Sequence, residues 1–179
     1  MLTRRPIHIL DVSLLHKLFL DSPNYFKSIS ATHPTLQEVS TDVVYALHDE
    51  RRRLELLFLD LECVGYLDYK FDYPKKGDTT INLVLIPDHL RGRGYGRAAV
   101  HALELELQGR YDQLLAGVYA ADRSSEQFWV RLGYHFAKDA RPLMFWYAKS
   151  LKNTPDLLAS DLTLETLEPS GVSERAALK

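Results

Sequence analysis

Ile81-Asn82-Leu83-Val84-Leu85-Ile86-Pro87-Asp88-His89-Leu90-Arg91-Gly92-Arg93-Gly94-Tyr95-Gly96-Arg97 decides the fold. Residues 79–86 form a nearly continuous apolar run, the pattern of a buried strand. The run stops at Pro87, and residues 91–97 then hold three glycines and three arginines. Directly after them the pattern turns helical. Ala99, Val100, Leu103 and Leu107 share one face, Arg97, His101, Glu104 and Gln108 the other, and Gly109 is a fitting stop. Glycine permits a sharp turn and leaves no Cβ in the way of a ligand. The helix start adds unpaired N–H groups and a partial positive charge. Together these parts make a site for phosphate oxygens. The dipole alone supplies only about 0.3–2 kcal/mol, so several N–H groups and arginines must act together.

On the N-terminal side, residues 7–10 read as a short strand and residues 13–20 as a helix. Thr35-Leu36-Gln37-Glu38 is a capping box that opens a helix running to about Asp49. Residues 54–60 and 64–71 alternate around a turn at Leu61-Glu62, which predicts an antiparallel hairpin. Residues 72–78 are a loop. On the C-terminal side, residues 114–119 read as a strand, residues 124–132 as a helix closed by Gly133, and residues 143–150 as a final strand. Strands and helices in this order predict an α/β (α+β) domain with a mixed sheet and packed helices over residues 1–150. Residues 151–179 carry three basic and five acidic side chains and no aromatics, so the composition shifts there. Thr154-Pro155 is a good helix start, and Leu157, Leu158, Leu162, Leu164 and Leu167 fit one apolar face. This reads as an appendage with a short helix and a disordered end.

Composition excludes several classes. The 179 residues are 46% hydrophobic and 11% aromatic, enough for a packed core. A net charge of −2 argues against a dedicated nucleic-acid binder. Cys63 is the only cysteine, so neither an intrachain disulfide nor a thiolate zinc site is open, and a reducing, cytoplasmic setting is expected. No apolar run has membrane-spanning length, and the N-terminus lacks the pattern of a signal peptide. The seven histidines form no metal-binding pair, so no metal is expected.

The glycine loop is neither a nucleotide P-loop, which needs Lys-Ser or Lys-Thr after its last glycine, nor a dinucleotide fingerprint, because Arg97 stands where a glycine is required. The run Arg91-x-x-Gly94-x-Gly96 instead resembles the pyrophosphate-binding signature [QR]xxGx[GA] of the GNAT superfamily of N-acetyltransferases. Phe128-Trp129-Val130-Arg131-Leu132-Gly133-Tyr134 looks like that family's second landmark, and the element order over residues 5–150 matches too. The resemblance implies a mostly antiparallel central sheet flanked by helices, with two strands splayed around acetyl-CoA as co-substrate.

By the same resemblance, the backbone of Gly92, Arg93, Gly94, Tyr95, Gly96 and Arg97, with Arg91, holds the pyrophosphate. The strand edge at Leu85 and Ile86 pairs with the pantetheine arm, and a backbone N–H near Ile86 polarises the thioester carbonyl. Asp122 stands where the family often has an asparagine that contacts this arm; an N-cap for the following helix is the other reading. The family's frequent proton-donating tyrosine aligns with Trp129, which has no proton to give but can pack against the arm. Its frequent general-base glutamate aligns with Asn82. Tyr119 is then the candidate acid, and Glu55, Asp60, Glu62, Asp68 and Asp72 are acidic residues on or beside the hairpin that could draw an amine. Asp21-Ser22-Pro23-Asn24-Tyr25-Phe26 resembles a segment that some bacterial members place over the acceptor pocket. Arg51-Arg52-Arg53 reads as a solvated helix end, and Cys63 lies too far from the loop to be a nucleophile.

The implied activity is transfer of an acetyl group from acetyl-CoA to a primary amine, on a small molecule or a protein, by direct attack in a monomer or homodimer. A non-catalytic acyl-CoA-binding or regulatory module is the alternative.

Overall fold

The structure is a computed structural model and describes residues 1–119, 122–140 and 144–152. Its elements, in chain order, are β1 (Leu2–Pro6), α1 (Val12–Leu20), α2 (Pro23–Ser28), α3 (Leu36–His48), β2 (Arg52–Leu59), β3 (Glu62–Phe71), β4 (Asp78–Leu85), α4 (Tyr95–Leu107), β5 (Gln113–Tyr119), α5 (Arg123–Arg131), β6 (His135–Ala140) and β7 (Met144–Ser150). The strands form one sheet in the order β1-β2-β3-β4-β5-β7-β6, and every neighbouring pair is antiparallel except β4 with β5. This is the expected α/β architecture with a mixed, mostly antiparallel sheet.

Each face of the sheet has its own core. On one, Leu57, Leu67 and Ile81 pack against Val100, Leu103 and Leu107 of α4 and Leu114 and Val118 of β5. On the other, Leu54, Leu56 and Tyr66 pack against Leu15 and Leu18 of α1 and Val39 and Val43 of α3. Burying a side chain of this size stabilises the fold by about 1.5–3 kcal/mol, so neither helical layer is optional. A half-buried ion pair ties α4 to β7, with Lys149 Nζ donating to both oxygens of Glu104 at 3.0 Å and to the Leu132 carbonyl at 3.0 Å.

Four expectations need correction. Residues 7–10 are not a strand: β1 lies earlier, and Ile9–Asp11 form a short 3-10 turn. Local polar contacts override the apolar pattern there, since the Asp11 carboxylate accepts the His8 N–H at 2.8 Å and His8 Nδ1 accepts from Leu10. Helix α2 is not among the elements expected from the sequence, although Pro23 at its first position is a signal. Strand β6 is also absent from that reading, because His135-Phe136-Ala137-Lys138 does not alternate strictly between apolar and polar residues; it forms an edge of the sheet. Arg51-Arg52-Arg53 is no solvated helix end: Arg52 opens β2 and turns inward. The expected helix after Thr154-Pro155 lies outside the described residues.

Candidate active site

The site begins with one extra residue in β4. Opposite β3, Tyr69 pairs with Ile81 but Asp68 pairs with Leu83, which leaves Asn82 as a bulge. A single inserted residue moves every later side chain to the other face. Ile81 packs on the α4 side, Leu83 and Leu85 pack on the α1–α3 side, and Val84 and Ile86 return to the α4 side. Pairing between β4 and β5 stops at the same place, with Ile81 opposite Ala116 as the last pair. Beyond it the strands part, and a cavity of about 1030 Å³ occupies the gap.

The loop after β4 forms one end of this cavity. Gly92 and Gly94 adopt left-handed backbone with φ of 77° and 86°, and Gly94 is the N-cap of α4. A Cβ at either position would meet nothing within 4 Å, so both face open space. Gly96 differs, because a Cβ there would rest 3.5 Å from the Phe128 ring and 3.6 Å from Ile86. Arg91, Arg93, Arg97 and Arg131 all line the cavity, and the first turn of α4 holds no acidic residue. Free N–H groups at a helix start, open space before them and four guanidiniums suit a pyrophosphate with further phosphate. This cradle fits the phosphates of coenzyme A.

The other end is made by α2 and the ends of β4 and β5. Helix α2 spans the gap like a strap. Its Asn24 N–H donates to Asp88 at 3.0 Å on the β4 side, and its Ser28 hydroxyl donates to Asp122 at 3.2 Å on the β5 side. Along β5, Leu114, Ala116 and Val118 face α4, so alternation turns Gly117 and Tyr119 to the strap side. Tyr25 sits under the strap, and its phenol is pushed up to about 12 by burial first and then by Tyr119 and Asp122. It therefore stays protonated across the physiological range. Asn82 Nδ2 donates to Asp68 at 2.8 Å. Asp68 is 4% exposed and also takes Arg52 Nη2 at 2.6 Å and Nε at 3.2 Å. Arg52 in turn grips Asp42 of α3 at 2.8 and 3.0 Å.

The model for the acetyltransferase (GNAT) family matches residues 15–134, well over half of the chain. The chain belongs to the GNAT acetyltransferase family. A solved acetyltransferase from Thermus thermophilus shares 39% identity, covers 84% of this chain and 97% of its own, and superposes with a TM-score of 0.81. An aminoglycoside acetyltransferase in complex with coenzyme A is 17% identical (84% of this chain, 95% of its own, TM-score 0.70). An acetyltransferase from Salmonella typhimurium that modifies the N-terminal serine of a ribosomal subunit protein is 16% identical (83% of this chain, 94% of its own, TM-score 0.71). These last two share the fold. No curated protein sequence matches the chain.

Within this GNAT domain, Ile86, residues 91–97, Tyr119, Asp122 and Trp129 all line the one cavity. Leu85 does not; its side chain is buried in the α1–α3 core, which leaves only its backbone for a ligand. Asp122 caps α5, accepting from the Ser125 N–H at 3.1 Å and the Ser125 hydroxyl at 2.6 Å. Trp129 is 6% exposed and packs edge-on against Phe128 and Tyr134, with ring centroids 5.0 and 4.9 Å away. It serves the core and offers the cavity an edge.

The hairpin's acidic residues are scattered. Glu55 is half-buried against Arg4 at 3.1 Å, Asp72 caps the Gly77 N–H at 2.9 Å, and Asp60 lies in the exposed turn. Only Asp68 reaches the cavity, through Asn82. Cys63 is half-buried near the start of β3, with its thiol pushed up by burial. Asn24 and Tyr25, which line the cavity, belong to residues 21–26, the segment that resembles one over an acceptor pocket, whereas the sequence reading missed Ser28, Phe128 and Arg131 as site residues. Arg131 stands inside the quoted second landmark, so its place in that motif is the available signal.

Proposed function

We propose that the chain is an N-acetyltransferase that moves an acetyl group from acetyl-CoA to a primary amine by direct attack. The observation that supports this best is a cavity of about 1030 Å³ at the sheet gap, lined by the phosphate cradle at one end and by polar groups of α2 at the other. Acetyl-CoA supplies the acetyl group as a thioester with a good leaving thiolate.

The N–H groups of residues 92–97, with Arg91, hold the pyrophosphate. The free edge of β4 at Leu85 and Ile86, unpaired beyond Ile81, lies along the pantetheine arm. An N–H near Ile86 polarises the carbonyl. The amine enters under α2, and Tyr119 gives a proton to the departing sulfur. Trp129 packs against the arm with its ring edge. Asp122 acts through α5, which it caps, and through Ser28 of the strap. The catalytic domain is residues 1–150, with residues 151–179 as an appendage, in a cytoplasmic monomer or homodimer. Among the described residues no group of three or more metal-ligating side chains converges, and none of their helices is long and apolar enough to cross a membrane.

Incubation of the protein with acetyl-CoA and a panel of small and peptide amines, with CoA release as the readout, tests the proposal. Release above the rate of hydrolysis is expected for at least one amine. Tight acetyl-CoA binding without release from any amine would favour a non-catalytic acyl-CoA-binding module, a reading supported by Asn82, whose amide cannot act as a base.

A further inference from the structure

Asn82 is a polar residue inside an apolar strand, placed at the bulge and exposed to the cavity. Its amide can point only one way. Asp68, clamped by Arg52, is an acceptor, so the Asn82 NH2 must face it, and the 2.8 Å contact is that bond. The Asn82 Oδ1 is thereby turned away from Asp68, on a residue that lines the cavity. Arg52 is itself fixed by Asp42 of α3, so a chain of side chains running through β3, β2 and α3 sets the orientation of this one oxygen.

A nucleophilic amine must also be neutral. Among the described residues lining the cavity there is no histidine and no glutamate, and the one carboxylate, Asp122, is held by Ser125 and Ser28. The other charged or titratable groups facing the spot are Asp68, Arg52 and Asp42 behind Asn82, Tyr25 from the strap, and Tyr119 from β5. Asp68 is spent on Arg52 and Asn82, and the arginine stays charged.

We propose that Asn82 Oδ1 receives the acceptor's N–H and that the cleft takes a weakly basic amine, an α-amino group, that is already neutral on arrival. Asp68 is its positioning residue. This rests on the acetyl-transfer reading above. The C–N bond forms as the C–S bond breaks, the surplus amine proton passes to water, and the leaving sulfur takes a proton from Tyr119 or solvent. An α-amine has a pKa of about 7.7–8.0 and a lysine side chain about 10.4, so the neutral fraction at pH 7 differs by a few hundredfold.

The test compares three acceptors at several pH values: alaninamide, a short uncharged peptide with a free N-terminus, and lysine amide blocked at its α-nitrogen. At pH 7 an α-amine is expected to exceed the blocked lysine by about a hundredfold in kcat/KM. The inflection of each pH profile is expected to move with the acceptor's own pKa. Activity on alaninamide alone assigns a free amino-acid derivative, and activity on the peptide alone assigns a chain terminus. Asn82→Leu and Asp68→Asn are each expected to raise the acceptor KM about three- to tenfold, the worth of one hydrogen bond, with kcat at saturation and acetyl-CoA affinity by calorimetry little changed. In amide 15N spectra, Asp68→Asn is expected to shift the Asn82 side-chain signal, identified by its loss in Asn82→Leu. Equal use of the blocked lysine at pH 7, or one inflection shared by all acceptors, would overturn the proposal while leaving acetyl transfer intact. CoA release from no acceptor overturns acetyl transfer itself.

Discussion

The two ends of the cavity are built in opposite ways. Apart from Arg131, the phosphate end comes from seven consecutive residues, 91–97, with open backbone N–H groups and left-handed glycines. The proposed acceptor end comes from residues as far apart as Asn24, Asp68, Asn82, Tyr119 and Asp122, where hydrogen bonds join Asn24 to Asp88, Ser28 to Asp122 and Asn82 to Asp68. A backbone cradle needs a local sequence and therefore leaves a motif. A side-chain network needs only that distant elements converge, and it is free to change whenever the acceptor does. Fold and acceptor are separable in this way, and the fold is shared with an aminoglycoside acetyltransferase and with an acetyltransferase that modifies the N-terminal serine of a ribosomal subunit protein.

The largest effect is expected where the local device is struck. Gly94→Val puts a β-branched side chain into the open space before α4, at a backbone with φ of 86° that such residues rarely adopt. Loss of measurable acetyl-CoA binding by calorimetry is expected, on protein shown to be folded by circular dichroism. Gly96→Ala should differ sharply, because its Cβ makes only ordinary contact with Phe128 and Ile86. Binding within a few-fold of wild type is expected there. Equal loss in both variants would mean that the loop senses bulk in general, and unchanged binding in Gly94→Val would sink the cradle.

This end of the molecule was legible in advance for the same reason. The apolar run, the glycine loop and the amphipathic helix are period and punctuation, and they fell within one or two residues of β4 and α4. The splay was expected only through family resemblance. Nothing in the apolar run from residue 81 marks a bulge except the polar Asn82, and a bulge is settled by the partner strand. Likewise Asp68 looks like any other acidic hairpin residue. Only the pairing of β2 with β3 and the packing of α3 bring Arg52 and Asp42 to it. The early strand read at residues 7–10 failed because His8 and Asp11 bond to their own backbone, a competition that hydropathy does not register.

A middle-sized effect is expected at the junction of the two ends. Tyr119 is 37% exposed and faces the strap side, whereas Trp129 is buried among Phe128 and Tyr134. A general acid contributes about 10²–10⁴-fold. Tyr119→Phe is therefore expected to lower kcat about a hundredfold with the acetyl-CoA KM unchanged. Trp129→Phe keeps an aromatic edge on the cavity and is expected to stay within about tenfold in kcat, with the change mainly in KM. The reverse pattern, with binding intact, would remove Tyr119 as the proton donor and show that the ring of Trp129 sets the geometry of the reacting groups.

The smallest effect is expected outside the cavity, in the footing of the helices beneath the strap. Asp11 precedes α1 and accepts both arms of Arg5, at 2.7 and 2.8 Å, together with the His8 N–H. The Arg5 guanidinium, with the His8 N–H, holds its carboxyl below the usual aspartate range. In the folded chain Asp11 thus releases its proton more readily than in the unfolded chain. Its contribution is fully present above the ordinary aspartate pKa of about 3.9 and is lost as pH falls through the lower folded value. Because Arg5 is nearly half exposed, the pair is worth no more than about 1 kcal/mol. Asp11→Asn keeps an acceptor for His8 but removes the charge. A melting temperature about 2–4 °C below wild type is expected at pH 7, with the gap closing below pH 4 and acetyl-CoA affinity unchanged. A gap that persists unchanged at pH 3 would show that the charge of Asp11 is not its source. A loss of acetyl-CoA affinity would show instead that the two ends of the cavity are mechanically coupled through α1, against the separation drawn between them.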